Sequence, residues 1–195
     1  YVARRKYWDL YKDCARLAPA TPPIDYEDQV SHSKRLMDAS DWRSTEITAD
    51  QIARARRGYF ANISYVDDKI GDILAVLEAT RQEAIIVFTS DHGDMLGDRG
   101  LWFKMSFFEG SARVPLMVSA PGIEPGRVDC PVSTLDVTPT LADLAQISLD
   151  EVMPWTNGES LIKVVRDGAR APVPMEYAAE GSITPLVCLR EGAWK

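Results

Sequence analysis

Two stretches of this sequence carry residue types that could do chemistry. The first runs Thr89-Ser-Asp-His-Gly-Asp-Met-Leu-Gly-Asp-Arg-Gly-Leu-Trp-Phe-Lys104. Asp91 and His92 follow an apolar run of strand length, residues 84–88, and in open α/β sheets ligands gather at the carboxyl ends of strands. A carboxylate offers a hard oxygen and an imidazole a borderline nitrogen, both donor types of divalent metal sites. Gly93 permits the sharp turn that two adjacent ligands need. Lys104 lies further along a glycine-containing loop that can fold back over the strand end, where an ammonium would neutralise an oxyanion. The plainer alternative is a loop in which Asp91 caps a turn, His92 bonds the backbone and Lys104 is solvated. The second stretch, Glu176-Tyr-Ala-Ala-Glu180-Gly181, sets two carboxylates beside an aromatic ring. As a strand it would place Glu176 and Glu180 on one face and Tyr177 on the other. An ordinary edge strand with solvated acids is the alternative. Asp136 reads as a helix cap, and the pair Asp67 and Asp68 as solvated or capping carboxylates.

The elements that must position these residues follow from periodicity. Thr48 and Gln51 have capping-box spacing, and Ile52, Ala55, Tyr59, Ile63, Val66, Ile70, Ile73, Leu74 and Leu77 repeat at three and four, so a helix is predicted to about Ala79. Gly58 and Gly71 inside it mark candidate points of close packing. Residues 84–89 and 114–119 are continuous apolar, β-branched runs, the pattern of strands buried on both faces of a parallel sheet. Pro139 sits early in a helix predicted from Asp136 to about Ala145. Residues 173–178 and 185–190 read as two further strands. The first thirteen residues suit a short helix or an irregular segment, and 26–42 read as loop with at most one helical turn. The order points to an α/β layer over residues 1–150, with the start of a small antiparallel C-terminal sheet over 151–195.

Composition narrows the classes. The chain has 195 residues, 46% hydrophobic, enough for one substantial core. No apolar run approaches bilayer length, so no membrane partner is expected. The net charge of −7 repels phosphate backbones, so nucleic acid is not expected either. Cys14, Cys130 and Cys188 are odd in number and widely spaced, which suggests reduced thiols and a cytoplasmic location. The opening Tyr-Val-Ala-Arg-Arg-Lys has no apolar core region, and a truncated chain is expected.

Ser90-Asp-His-Gly, Leu96-Gly, Lys104, Glu109-Gly and Arg113-Val-Pro-Leu116 resemble the second half of the sulfatase signature within the alkaline-phosphatase superfamily. The full run from Asp91 to Pro115, with Tyr7-Trp-Asp-Leu-Tyr11 and Tyr177-Ala-Ala-Glu-Gly181, is most similar to the choline-sulfatase branch. The resemblance implies an alkaline-phosphatase-like sandwich with mainly parallel buried strands, and hydrolysis of choline O-sulfate to choline and sulfate. It implies Asp91 and His92 as metal ligands, Lys104 as the catalytic group on the sulfate oxygens, and Glu109 and Arg113 as braces of the loop. The metal is expected to be calcium, with manganese or magnesium as alternatives, because phosphonate and phosphodiester hydrolases of the superfamily also carry Asp-His. A choline ammonium has no hydrogen-bond donor and needs aromatic faces and carboxylates; Glu180 is the expected contact. A homo-oligomer is expected of the intact protein. The sulfatase nucleophile is a formylglycine made from cysteine in Cys-x-Pro-x-Arg. Here Cys14 precedes Ala-Arg-Leu, Cys130 precedes Pro-Val-Ser and Cys188 precedes Leu-Arg-Glu, so the chain alone is expected to be inactive. A phosphonate monoester or phosphodiester hydrolase, or a non-catalytic fragment, are the alternatives.

Overall fold

The computed structural model describes residues 2–12, 17–168 and 170–195, which fall into two units. The first gathers Tyr1–Gln82, His92–Arg113 and Ala179–Ile183, and the second gathers Glu83–Asp91, Val114–Ala178 and Thr184–Lys195. Cys14, one of the three cysteines, lies outside the described residues; Cys130 and Cys188 are free thiols.

The first unit is organised on one long helix. Helix α1, Arg5–Trp8, leads into a short 3-10 turn, Asp9–Tyr11. After α2, Ser31–Ala39, comes α3, Ala49–Thr80, which opens with the expected reciprocal capping box between Thr48 and Gln51. The first half of α3 receives α1. Tyr7 is buried edge-on to Tyr65 at 5.6 Å, and the Arg57 guanidinium lies 4.3 Å from the centre of the Trp8 ring. Gly58 lets Trp8 approach to 3.6 Å of where a Cβ would stand, whereas Gly71 faces open space. Asp68 does not stand alone in solvent: it accepts from Lys6 Nζ at 2.9 Å and from the Tyr7 hydroxyl at 2.7 Å. Farther along α3, Ile63, Val66, Ile73 and Leu74 of the predicted apolar face are exposed.

Helix α2 corrects the reading of 26–42 as loop. Its nine residues bury only Ser33 and Leu36, so there is no apolar stripe to detect. The run Lys34-Arg-Leu-Met37 is made of good helix formers, and tertiary contact supplies the rest.

In the second unit, β1 (Ile86–Thr89) and β2 (Leu116–Ser119) lie side by side as expected, but they pair antiparallel, Ile86 with Ser119 through Thr89 with Leu116. The expectation of mainly parallel strands buried on both faces is not met by this pair. A parallel return needs a crossover packed on the sheet, usually a helix of a dozen or more residues. Between β1 and β2 the chain forms only a 3-10 turn at Asp98–Gly100 and the four-residue α4, Glu109–Ala112. Burial alternates along β2, with Met117 exposed, so its continuous apolar run does not denote burial on both faces.

Helices α5 (Val137–Leu144), α6 (Leu149–Val152) and α7 (Leu161–Asp167) follow. Asp136 stands at the start of α5, but its side chain makes no capping bond to that helix, contrary to expectation; it closes the preceding 3-10 turn, Thr134–Asp136, by accepting from Ser133 N at 2.8 Å. Its fully buried carboxylate also accepts from Glu159 N at 2.9 Å and from Arg170 Nε and Nη2 at 2.7 and 2.6 Å. That carboxylate raises the Arg170 pKa above its ordinary value. The predicted small sheet is present: β3 (Val173–Tyr177) pairs antiparallel with β4 (Leu186–Arg190).

Candidate active site

The segment from His92 to Arg113 of the first unit has little regular structure and unusual backbone geometry. Between Leu96 and Met105, six residues have positive φ: Leu96, Gly97, Arg99, Gly100, Phe103 and Met105. Left-handed backbone costs a non-glycine residue about 1–2 kcal/mol, so four such residues persist only where surroundings over-determine them, a condition met most often at functional sites. The surroundings are visible. Met95 N donates to Phe103 O at 2.6 Å and Gly97 N to Leu101 O at 2.8 Å, folding the loop on itself around the buried Met95 and Leu101. Arg56, buried on α3, donates through Nη1 to Leu96 O at 2.8 Å. Asp98 Oδ1 accepts from Ala20 N at 2.8 Å, and Gln29 Nε2 donates to Arg99 O at 2.7 Å. The Asp94 side chain accepts from Leu96 N at 2.9 Å and starts the turn.

Lys104 stands between two of these left-handed residues, Phe103 and Met105, and its side chain is exposed. The loop therefore presents the ammonium from a fixed backbone. The peptide that follows is held on both sides: Met105 O accepts from His32 Nε2 at 2.6 Å, and Ser106 N donates to the buried Ser111 Oγ at 3.4 Å.

Gly93 is required for contact more than for turning. Its N–H donates to Ser111 O at 2.8 Å, and a Cβ there would collide with the Gly110 carbonyl, so no larger residue fits against α4. His92 is exposed, and its Nδ1 lies 2.8 Å from Gly93 O, the backbone bond weighed above as the plainer alternative. That bond has a chemical consequence. A carbonyl only accepts, so Nδ1 is the donor; in a neutral ring that would leave the lone pair on Nε2, the tautomer of a histidine that ligates through Nε2. Asp91, exposed, ends the Glu83–Asp91 segment of the second unit, and its Oδ1 accepts from Ser90 Oγ at 3.3 Å. Among the described residues no three His, Cys, Asp or Glu side chains stand close enough together to hold a metal ion.

Glu180 lies beyond the end of β3, in a turn, and is exposed; Glu176 is exposed on β3 and Tyr177 half-buried. The strand thus stops short of Glu180, and Glu176 and Glu180 do not share a strand face. Gly181, next in the turn, has left-handed backbone with φ +76. Glu109 opens α4, and Arg113 N donates to Glu109 O at 3.0 Å; both side chains are exposed.

The sulfatase family model matches residues 17–147. The chain belongs to the sulfatase family. It is 58% identical over 198 aligned residues to the choline-sulfatase of Rhizobium meliloti, an alignment that takes in the whole chain and 39% of that relative. It is 33% identical over 186 residues to arylsulfatase K of Danio rerio, covering 89% of the chain and 33% of that protein. Among solved structures, a phosphonate monoester hydrolase from Silicibacter pomeroyi superposes with a TM-score of 0.78 at 25% identity, covering 94% of this chain and 42% of that one. A putative sulfatase from Bacteroides fragilis shares the fold with a TM-score of 0.69 at 24% identity, over 97% of this chain and 39% of that one. The chain thus spans about two-fifths of the length of the choline-sulfatase it matches.

Sequence reasoning found the motif and missed its supports. His32 and Arg56 give no signal, because each meets the loop from far away in the chain and neither belongs to a recognisable spacing. Arg170 likewise reaches Asp136 from 34 residues away.

Proposed function

We propose that the complete protein hydrolyses choline O-sulfate to choline and sulfate. The observation that carries this reading is the 58% identity to a choline-sulfatase across the entire chain. Lys104, presented from a strained and well-anchored loop, sets its ammonium against the sulfuryl oxygens, where charge rearranges as the sulfur–oxygen bond breaks. Asp91 and His92, the latter with its lone pair on Nε2, fit a divalent metal as two of its ligands, and a full shell draws on donors beyond this pair. When bound, such a metal would neutralise charge on the sulfate and acidify the hydroxyl of the nucleophile. Calcium is the proposed ion, and manganese or magnesium also suits one carboxylate with one imidazole. Glu180 faces the choline ammonium, for which a carboxylate is the natural counter-charge.

The test uses the full-length protein. Lys104→Ala lowers kcat on choline sulfate roughly a hundredfold or more, the scale for loss of one preorganised charge contact. Near-normal turnover would refute the role. Glu180→Gln is expected to lose activity on choline sulfate and retain it on an uncharged aryl sulfate; equal losses would assign Glu180 to the fold. A second reading is supported by the TM-score of 0.78 to a phosphonate monoester hydrolase. Turnover of a phenylphosphonate ester above that of choline sulfate would decide for it.

A further inference from the structure

Helix α2 touches both halves of the proposed site within the first unit. His32 Nε2 donates to Met105 O at 2.6 Å, one residue past Lys104. Three residues on, Arg35 Nε donates to Gly181 O at 2.9 Å, one residue past Glu180. The next residue, Leu36, is fully buried, and its Cδ2 stands 2.8 Å from where a Cβ at Gly181 would be, so the turn lies directly on it. Residues 32, 35 and 36 share one face of a helix. His32 and Arg35 are separated along the axis by about 4.5 Å, at 1.5 Å per residue. Each anchor holds a backbone carbonyl in a segment with left-handed geometry, since Met105 and Gly181 both have φ +76. Both carbonyls are thus fixed to a single rigid turn of α2.

We propose that α2 is a spacer that sets the distance between Lys104 and Glu180. His32 and Arg35 would be the positioning residues that match the site to an ester carrying its cation a fixed distance from the sulfate. This rests on the reading of Lys104 and Glu180 as the sulfate and cation contacts. His32 acts only through Lys104, and Arg35 only through Glu180.

The assignment makes separable demands on the full-length protein. His32→Asn and His32→Gln are both amides, but only glutamine reaches the position of Nε2. His32→Asn should lower kcat roughly tenfold on choline sulfate and on 4-nitrophenyl sulfate alike, since ångström-scale misplacement of a catalytic group costs up to a hundredfold, and His32→Gln should restore the rate. Adding His32→Asn to Lys104→Ala should cause no further loss. Arg35→Met should raise KM for choline sulfate, leave 4-nitrophenyl sulfate unaffected, and have no effect once Glu180 is Gln. If Lys104→Ala turns over normally, the underlying site reading fails and the spacer with it. If Lys104→Ala is slow but His32→Asn is harmless, or its loss multiplies with that of Lys104→Ala, the spacer alone is overturned. An Arg35→Met effect equal on both substrates overturns it too.

Discussion

Replacing Arg170 by Met tests whether the Asp136 cluster holds the second unit together. The Asp136 carboxylate is fully buried and accepts four hydrogen bonds, two from backbone N–H groups of Ser133 and Glu159 and two from the guanidinium. Methionine fills much of the same space, so the change opens little cavity and removes the charge, the two donors to Asp136 and an exposed Nη1 bond to Ala171 O at 3.2 Å. A hydrogen bond to a charged group contributes about 1.5–3 kcal/mol. Breaking a buried ion pair from one side costs about 3–5 kcal/mol, because it leaves an uncompensated charge. The guanidinium bonds, at 2.6 and 2.7 Å with the Arg170 side chain 6% exposed, place this pair in that class. At about 2–4 °C per kcal/mol for a chain of this size, the melting temperature should fall by roughly 6–20 °C. The assay is thermal unfolding followed by circular dichroism. Asp136→Asn with Arg170→Met should be less destabilised than the sum of the singles, because the stranded carboxylate is gone. A fall of less than about 2 °C, within the range of a surface substitution, would show that the two backbone donors suffice and would refute the argument.

Gly93→Ala should destabilise the loop by about 1–3 kcal/mol, the cost of overpacking, and lower turnover on every substrate, since its Cβ meets the Gly110 carbonyl; unchanged kinetics and melting would count against that contact. The seat of α1 on α3 should depend on pH. Lys6, and then Tyr7, hold the Asp68 pKa below its ordinary value, while Asp68 raises those of Lys6 and Tyr7. A depressed carboxylate contributes above its unfolded pKa and is lost as pH falls through the folded one. A raised Lys or Tyr contributes below its unfolded pKa and is lost as pH rises through the folded one. Amide-exchange protection of α1 should therefore be greatest between about pH 4 and 10, and Asp68→Asn should remove the acid limb; an unaltered acid limb would show that other groups set it.

The strained loop shows why site and scaffold are legible to different degrees. Glycine at 97 and 100 hints at left-handed backbone, but nothing local announces it at Leu96, Arg99, Phe103 or Met105. Leu96, Arg99 and Met105 are held there through their carbonyls by Arg56, Gln29 and His32, each from outside the loop, and Phe103 by Met95 N within it.

What the sequence by itself determined was everything encoded within a few residues. The capping box at Thr48 and the start of α3, the start of α5 after Asp136, the positions of four strands and the run around Asp91, His92 and Lys104 all depend on spacings of one to four along the chain. Tertiary structure decided what depends on partners distant in sequence. It made α2 a helix although only one of its buried residues is apolar, and it turned β1 and β2 antiparallel because no crossover helix intervenes. It gave Asp136 its guanidinium from Arg170, and it brought His32 to Met105 and Arg35 to Gly181 across 73 and 146 residues. Spacing along a chain specifies the period and ends of an element, whereas pairing depends on which surfaces meet when those elements pack, and no local spacing encodes that.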